Sequence, residues 1–418
     1  MTQENIKKVN NNIEEVLSFC VNLSRNMILS GANLERVHLA IEFICRAYGL
    51  KDLSIFLLST QISLSAYDKD GVYASRQASI PPAGIHLERL KSLNQLSYKI
   101  TEIKPPSKLL EKMLARAIDV KDYPDWLILI ARICAMSCLC FMFGGGFFDL
   151  VPVAIVTALI HFTMIFFENT GLDKIVVNFV TMWLATGVAI FFVYTGVGNN
   201  LPAILITMSM LVIPGIPLVN AARNLLCGSE INGILQILKI FIETMALGMG
   251  IFVAITMFEN YTSIDKTMTA AVLNPYFLVM LSYAASISFG IVFRVSLKDL
   301  WLAGLGGALT RIALIMLVPV MSSRLLYMTI SASVAALYAE FLAVKRRQPS
   351  TYFIYPSIIP LIPGDLFFYS LSGLILGNRM AAETNGINCL LSLAGLSIGF
   401  VLSSTVSHYV RKKRYVSA

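Results

Sequence analysis

Between residues 126 and 410 the chain is written almost entirely in apolar runs about as long as a bilayer is thick, and that leaves its backbone few choices. Hydrocarbon offers no partner to a peptide N–H or C=O, so a chain that crosses it must satisfy those groups internally, as a helix does. Ten such runs read as helices: 126–147, 149–167, 172–194, 201–220, 234–257, 275–293, 300–320, 323–344, 352–376 and 387–409. Two of the ten are interrupted in the same way. Ile213-Pro214-Gly215 is followed by Glu230-Ile231-Asn232-Gly233-Ile234, and Ile362-Pro363-Gly364 by Glu383-Thr384-Asn385-Gly386-Ile387. A duplicated pair of broken hydrophobic segments points to a secondary transporter with its binding site at the repeat interface.

The rest of the duplication is weaker. Asp149-Leu150 opens the second run and Asp299-Leu300 the seventh; at the same offset His161 corresponds to Arg311, and Phe143-Gly144 near the end of the first run resembles Phe289-Gly290 near the end of the sixth. Five runs per half is an odd number, so the second half enters the bilayer in the opposite sense and the repeat is of the inverted kind. With the N-terminus inside, the inner loops hold eleven Lys and Arg (Lys174, Arg223, Arg294, Lys298, Lys345, Arg346, Arg347, Arg411, Lys412, Lys413, Arg414) against three outside (Lys266, Arg324, Arg379). The net charge of +8 is thereby accounted for by membrane orientation, and nucleic acid is not expected as a partner.

Only 14% of residues are charged, against about 25% in a typical soluble protein, and the shortfall begins after residue 125. The expected fold is therefore an all-α polytopic membrane domain of ten helices, a 5+5 inverted repeat, preceded by a small α+β domain. The boundaries are 1–125 for the cytosolic domain, 126–260 for the first five-helix repeat, and 261–418 for the second with its basic tail. Charges interrupt the first apolar stretch and no cleavage site follows, so no signal peptide is expected. In the N-terminal domain helices are expected over 8–28, 33–47, 86–99 and 106–118, and strands over 53–67 and 71–80. Asn33 is placed to cap the second helix, and Asp68-Lys69-Asp70-Gly71 to turn a hairpin. The domain lacks a G-x-S-x-G elbow and an H-E-x-x-H helix, so His38 and His86 read as surface or packing residues. The seven cysteines include no C-x-x-C pair, so neither a metal nor a redox cofactor is expected and the thiols read as buried structural groups.

Ser30-Gly31-Ala32-Asn33-Leu34-Glu35-Arg36-Val37, Ser75-Arg76 and Gly84-Ile85-His86-Leu87-Glu88-Arg89-Leu90 resemble the cytosolic domain of the threonine/serine exporter family. Phe143-Gly144-Gly145 with Asp149 resembles its first membrane hairpin. Ile213-Pro214-Gly215-Ile216-Pro217-Leu218-Val219-Asn220-Ala221-Ala222-Arg223 resembles its most distinctive membrane motif, and Pro360-Leu361-Ile362-Pro363-Gly364 the counterpart in the second half. The resemblance spans essentially the whole chain and is to the fused, single-chain form; a split form is linked to succinate export. It implies export of threonine and serine driven by the proton gradient, in the cytoplasmic (inner) membrane, with both termini cytoplasmic. It departs at Asn224 and Ser229, where the family pattern places aspartates, so no role of those carboxylates is carried over.

Charge at membrane depth is expensive and marks function or a partner. Asp365 follows Pro363-Gly364, and its counterpart is Ile216, so the carboxylate breaks the pseudo-symmetry. It suits a substrate ammonium or the coupling proton; a helix cap is the plain alternative. Glu243 is a second coupling candidate or simply an i,i+4 partner of Lys239. Arg311 suits a substrate carboxylate or a counter-ion to Asp365 or Glu243. His161 is a proton-step candidate or an interior hydrogen-bonded histidine. Arg132, Lys239 and Glu340 lie where side chains snorkel to the inner face. Arg223 closes an inner gate or anchors orientation. Gly144-Gly145-Gly146 and Gly304, Gly306 and Gly307 suit close helix packing. The expected substrate-binding set is Pro214, Gly215, Asn220, Pro363, Gly364, Asp365 and Arg311; the coupling or gating set is Asp365, Glu243, His161 and Arg223. The expected partners are a small amino acid, protons and lipid, and the sequence leaves a homo-oligomer open. An enzyme is not expected. The alternatives are an exporter of small dicarboxylates such as succinate, a passive channel, a membrane-bound hydrolase using the soluble domain, and two proline kinks that only shape packing.

Overall fold

The computed structural model describes residues 3–81, 84–168, 170–213, 215–226, 228–259, 273–346, 348–375 and 377–416, without side chains at 3–12, 375 and 406–416. Pro214, Cys227, Lys266 and Arg347, and the side chains of the basic tail, lie outside the described residues. The chain divides into two compact units. One comprises Met1–Tyr123 together with Phe293–Leu297 and Phe341–Phe353; the other is the remainder.

The N-terminal unit is built on α1 (Gln3–Leu29), α2 (Leu34–Ala47), β1 (Lys51–Leu57), β2 (Gln61–Tyr67), β3 (Tyr73–Ser79), α3 (Leu87–Ile103) and α4 (Ser107–Ile118). The strands form one antiparallel sheet in the order β1-β2-β3. Alternation sets the sheet's two faces: Ile62, Leu64 and Ala66 of the central strand are fully buried. α1 packs on β2 and β3 and α2 on β1, α3 packs on both helices, and their buried Leu17, Phe19, Leu23, Ile41, Ile44 and Leu90 give the unit its hydrophobic core. Asn33 caps α2 as expected, accepting from the Arg36 amide at 3.2 Å. The expected strand 53–67 is two strands. Leu58 N–H donates to the Gln61 carbonyl at 2.8 Å and closes a turn over Ser59-Thr60.

His86 caps α3: its Nδ1 accepts from the Arg89 amide at 3.2 Å. The next amides of that helix are satisfied by residues far along the chain. Leu87 N–H donates to the Phe293 carbonyl at 2.9 Å and Glu88 N–H to the Arg294 carbonyl at 3.1 Å. Arg294 holds φ +60°, a left-handed conformation that costs a non-glycine residue about 1 kcal/mol or more. Its Nε donates to Asp122 at 2.6 Å. Tyr123 Oη donates to the Val295 carbonyl at 2.6 Å. Tyr352 Oη accepts from Ser296 N–H at 2.8 Å and donates to Glu88 at 2.8 Å, while Lys91 pairs with the other Glu88 oxygen at 2.9 Å. The segments 293–297 and 341–353 are thus structural parts of this unit.

The second unit carries two series of helices: α5 (Asp125–Met142), α6 (Leu150–Glu168), α7 (Lys174–Tyr194), α8 (Leu201–Val212), α9 (Gly215–Leu226) and α10 (Glu230–Met257), then α11 (Pro275–Val292), α12 (Leu300–Leu317), α13 (Arg324–Arg346), α14 (Thr351–Ile358), α15 (Gly364–Ile375) and α16 (Arg379–Val416). The first four helices of the second series start 150 residues after their counterparts, and the last two start 149 after. Short 3-10 turns at Phe147–Asp149 and Leu297–Asp299 keep the same register. Among the described residues eight helices are long and apolar enough to cross a membrane, and the count reaches ten if α8 with α9, and α14 with α15, each make one span.

Packing is also repeated. α10 lies on α7 so closely that a Cβ on Gly250 would overlap the Phe179 carbonyl; Gly395 and Gly399 of α16 meet Leu325 and Thr329 of α13 in the same manner. The glycine of each Glu-x-Asn-Gly phrase sits at a helix crossing. A Cβ on Gly233 would stand 2.6 Å from Leu225 on α9, and one on Gly386 2.9 Å from Ser370 on α15. Those two phrases are packing sites. α5 packs on its counterpart α11, with Phe141 near the end of one against Phe277 near the start of the other, ring centroids 5.8 Å apart. At the opening of α6, the carboxylate of Asp149 is buried and accepts from the amides of Gly146, Asn199 and Asn200 at 2.7, 2.7 and 2.9 Å. It ties the α5–α6 turn to the turn before α8.

Candidate functional site

Both Pro-Gly phrases break their helices, and the two breaks have one backbone geometry. Ile213 lies at φ −62°, ψ 122° and Ile362 at φ −63°, ψ 120°. In each, the glycine amide turns back to the isoleucine carbonyl two residues earlier, at 2.8 Å, for Gly215 and for Gly364. In the second break that is a γ-type turn, and the fixed φ of Pro363 suits its centre. The flanking helices bend by 62° at the first break and 53° at the second.

The breaks pack on one another. A Cβ on Gly215 would come 2.9 Å from Ile362 Cγ2, and one on Gly364 would run into Met210 Sδ. At both positions the opposite break occupies space that a side chain would take. One turn beyond the first break, Asn220 donates to Tyr355 Oη of α14 at 3.0 Å. Half-buried Arg223 lies within electrostatic range of that tyrosine. Freed carbonyls in the second half are taken up by side chains: Arg311 Nη2 donates to the Pro360 carbonyl at 3.2 Å, and Cys389 Sγ–H reaches the Pro363 carbonyl at 3.8 Å. Arg311 also donates through Nε to Ser282 at 3.0 Å and attracts Asp365, which lies in the first turn of α15. Tyr369 and Cys389 feel the Asp365 charge as well.

The geometry therefore gathers Gly215, Asn220, Pro363, Gly364, Asp365 and Arg311 around the two breaks. It does not bring Glu243 or His161 to that group through any hydrogen bond or ion pair described here. Glu243 is half-buried on α10 and Lys239 is exposed, and no ion pair joins them. His161 is buried and its Nδ1 stands 2.7 Å from Arg132 Nη1. Arg132, expected to snorkel, instead reaches across to a neighbouring helix. Sequence reasoning passed over Met210, Ser282, Tyr355 and Cys389. Ser282 alone carried a signal, standing 150 residues after Arg132.

Paired broken helices, an arginine on a freed carbonyl and a carboxylate at a helix start, within a bundle of membrane-length helices, define a multi-pass membrane transport protein rather than an anchored soluble one. Comparison with known proteins gives the particular family. Two family models describing threonine/serine exporters match it, ThrE over residues 18–258 and ThrE_2 over residues 278–406. The chain belongs to the threonine/serine exporter family. It is also 20% identical over 247 residues to the "Probable succinate transporter subunit YjjP" of Klebsiella aerogenes, a match that covers 58% of this chain and 93% of that protein. No solved structure matches it.

Proposed function

We propose that this protein exports small hydrophilic amino acids, threonine and serine, driven by the proton gradient, and binds them where α8–α9 and α14–α15 break. The observation that carries this reading is the packing of the two breaks on each other, with Arg311 and Asp365 on one side only. Each break exposes a helix N-terminus, which favours negative charge. The start of α9 carries Ile216 where α15 carries Asp365. A substrate carboxylate is therefore directed to the start of α9 and to Arg311, and its ammonium to Asp365 and the freed carbonyls.

Asp365 carries the coupling proton in this scheme, with Arg223 and Asn220 closing the inner mouth. Each bent pair counts as one span, giving ten, and the opposed ends of α5 and α11 at Phe141 and Phe277 favour the inverted arrangement. Both termini then lie on the cytoplasmic side of the inner membrane. The N-terminal unit acts as a gate. It holds Tyr352, the second residue of α14, and that helix leads to the second break. The three-part division at 125 and 260 follows the repeat.

The test is uptake of labelled threonine and labelled succinate into proteoliposomes, with and without an imposed pH gradient. Threonine moving uphill against protons, and losing that drive in Asp365→Asn while the variant still folds, is the expected result. Normal proton-driven flux in Asp365→Asn would remove that residue from coupling. Succinate flux without threonine flux would transfer the same architecture to dicarboxylates, the substrate class in the name of the Klebsiella relative.

A further inference from the structure

Each half carries one arginine inside its first pair of apolar helices, and the two halves place it on opposite members of the pair. In the first half Arg132 of α5 meets Nδ1 of His161 on α6 at 2.7 Å. In the second, Arg311 of α12 donates to Ser282 Oγ on α11 at 3.0 Å. Positions 132 and 282 are 150 residues apart, and so are 161 and 311, which is the offset of the helices themselves. The same helix crossing therefore holds the same kind of hydrogen-bonded pair twice. Its cation sits on the first helix in one copy and on the second helix in the other.

A guanidinium does not give up its proton, so it is the donor in both pairs. His161 Nδ1 then accepts, its proton sits on Nε2, and the pair carries a single positive charge, as Ser282–Arg311 does. A hydrogen bond between helices needs no charge; serine, threonine and asparagine supply it at small cost. A buried guanidinium is expensive in a membrane. Two different side-chain exchanges that both leave an arginine at this crossing indicate that the place requires the charge itself.

We infer that Arg132, oriented by His161, is a second carboxylate-contacting residue, the counterpart of Arg311. This rests on the transport reading above. In a repeat transporter the opposite-facing state arises when one half moves against the other. Arg311 now holds the carbonyl of Pro360, just ahead of the second break. Counted back from the breaks, which stand 149 residues apart, the matching position is Leu211, just ahead of the first. In the opposite-facing state Arg132 takes up the matching place beside the first break, so a substrate carboxylate meets a guanidinium in both states. The planar, two-pronged donor suits a carboxylate in either.

The decisive variant is the double exchange Arg132→Ser with His161→Arg, which writes the second-half arrangement into the first half. Uphill threonine flux is expected to fall at least tenfold in Arg132→Ser alone and in His161→Arg alone, and to return to within about threefold of wild type in the double variant. A folded double variant as inactive as Arg132→Ser overturns the inference, as does normal flux in Arg132→Ser. Arg132→Gln keeps a neutral hydrogen-bond partner for His161 and guards against a folding defect. Its KM for threonine should rise at least tenfold with no change in melting temperature; an unchanged KM also overturns the inference. Melting shifts with sodium threonine, succinate and acetate separate this inference from the transport reading. If one of these salts stabilises wild type but not Arg132→Gln, Arg132 contacts carboxylate whichever substrate is carried. If threonine stabilises both equally, Arg132 has no such role while the exporter reading survives.

Discussion

Alanine at the two break glycines tests whether the breaks bear on each other. Overpacking a buried site costs about 1–3 kcal/mol, and what stands in the way decides where in that range a variant falls. In Gly364→Ala the new methyl runs into Met210 Sδ, the mobile end of an unbranched side chain that can swing aside. The cost should sit near the bottom, about 1 kcal/mol. In Gly215→Ala the methyl would lie 2.9 Å from Ile362 Cγ2 and 3.2 Å from its Cδ1. Isoleucine is stiff at χ1, and Ile362 is buried beside the proline of the opposite break, so it cannot rotate away. Gly215→Ala should therefore cost about 2–3 kcal/mol, the larger loss from the milder overlap. Ile362→Ala opens the space, so the double variant should show a favourable coupling of about 2 kcal/mol in a mutant cycle. Reversible unfolding of the purified protein in mixed micelles reads all four corners. Gly215→Ala that is neutral, or that adds to Ile362→Ala without coupling, would show that the breaks do not touch.

Burial pulls the His86 imidazole down to about 4, with Arg89 adding to the shift. Its folded value is below the ordinary 6.5, so the stabilisation is complete above pH 6.5 and is lost as pH falls through about 4, where the unfolded chain binds the extra proton. The loss reaches at most about 3 kcal/mol, and hydrogen exchange at the start of α3 should quicken across that window in wild type but stay flat in His86→Asn. Asp149→Ala orphans three amides and should cost about 3–5 kcal/mol in micelle unfolding, with Asp149→Asn losing less than half of that because one oxygen still accepts. Tyr352→Phe removes the hydroxyl between Ser296 and Glu88; exchange of the Ser296, Leu87 and Glu88 amides should rise about tenfold, and exchange in β2 should not change.

The breaks were legible because they depend on local chemistry. Proline removes a donor and fixes φ wherever it stands, and both phrases end their helices at an isoleucine of the same extended geometry, Ile213 and Ile362. The Asn33 cap was legible for the same reason. The split of 53–67 into two strands was not, because its turn is Ser59-Thr60, with no glycine, proline or asparagine to mark it. Contacts between distant segments left no local trace at all. Nothing near Glu88 announces that its partner is Tyr352, 264 residues away. Arg132 shows the limit most clearly: its distance from the helix end suggested snorkelling, but the direction of a side chain depends on how its helix is rotated against the next, and here that rotation points it at His161.

A duplicated scaffold and an unduplicated set of charges do different work. On the proposed transport reading, two halves with the same helix order and the same close crossings would offer two arrangements of similar energy, one for each half taking the other's part. A transporter that only equilibrated between them would run equally well in both directions. Charged groups that depart from the repeat include Asp365 against Ile216 and Arg311 against His161, both Asp365 and Arg311 lying at the second break, and Arg132 against Ser282. If export is driven, the drive acts through such unmatched positions, since a group present identically in both halves biases neither arrangement. Replacing Ile216 with Asp, and so restoring the symmetry that Asp365 breaks, should for that reason weaken the dependence of flux on the pH gradient more than it weakens the downhill flux itself.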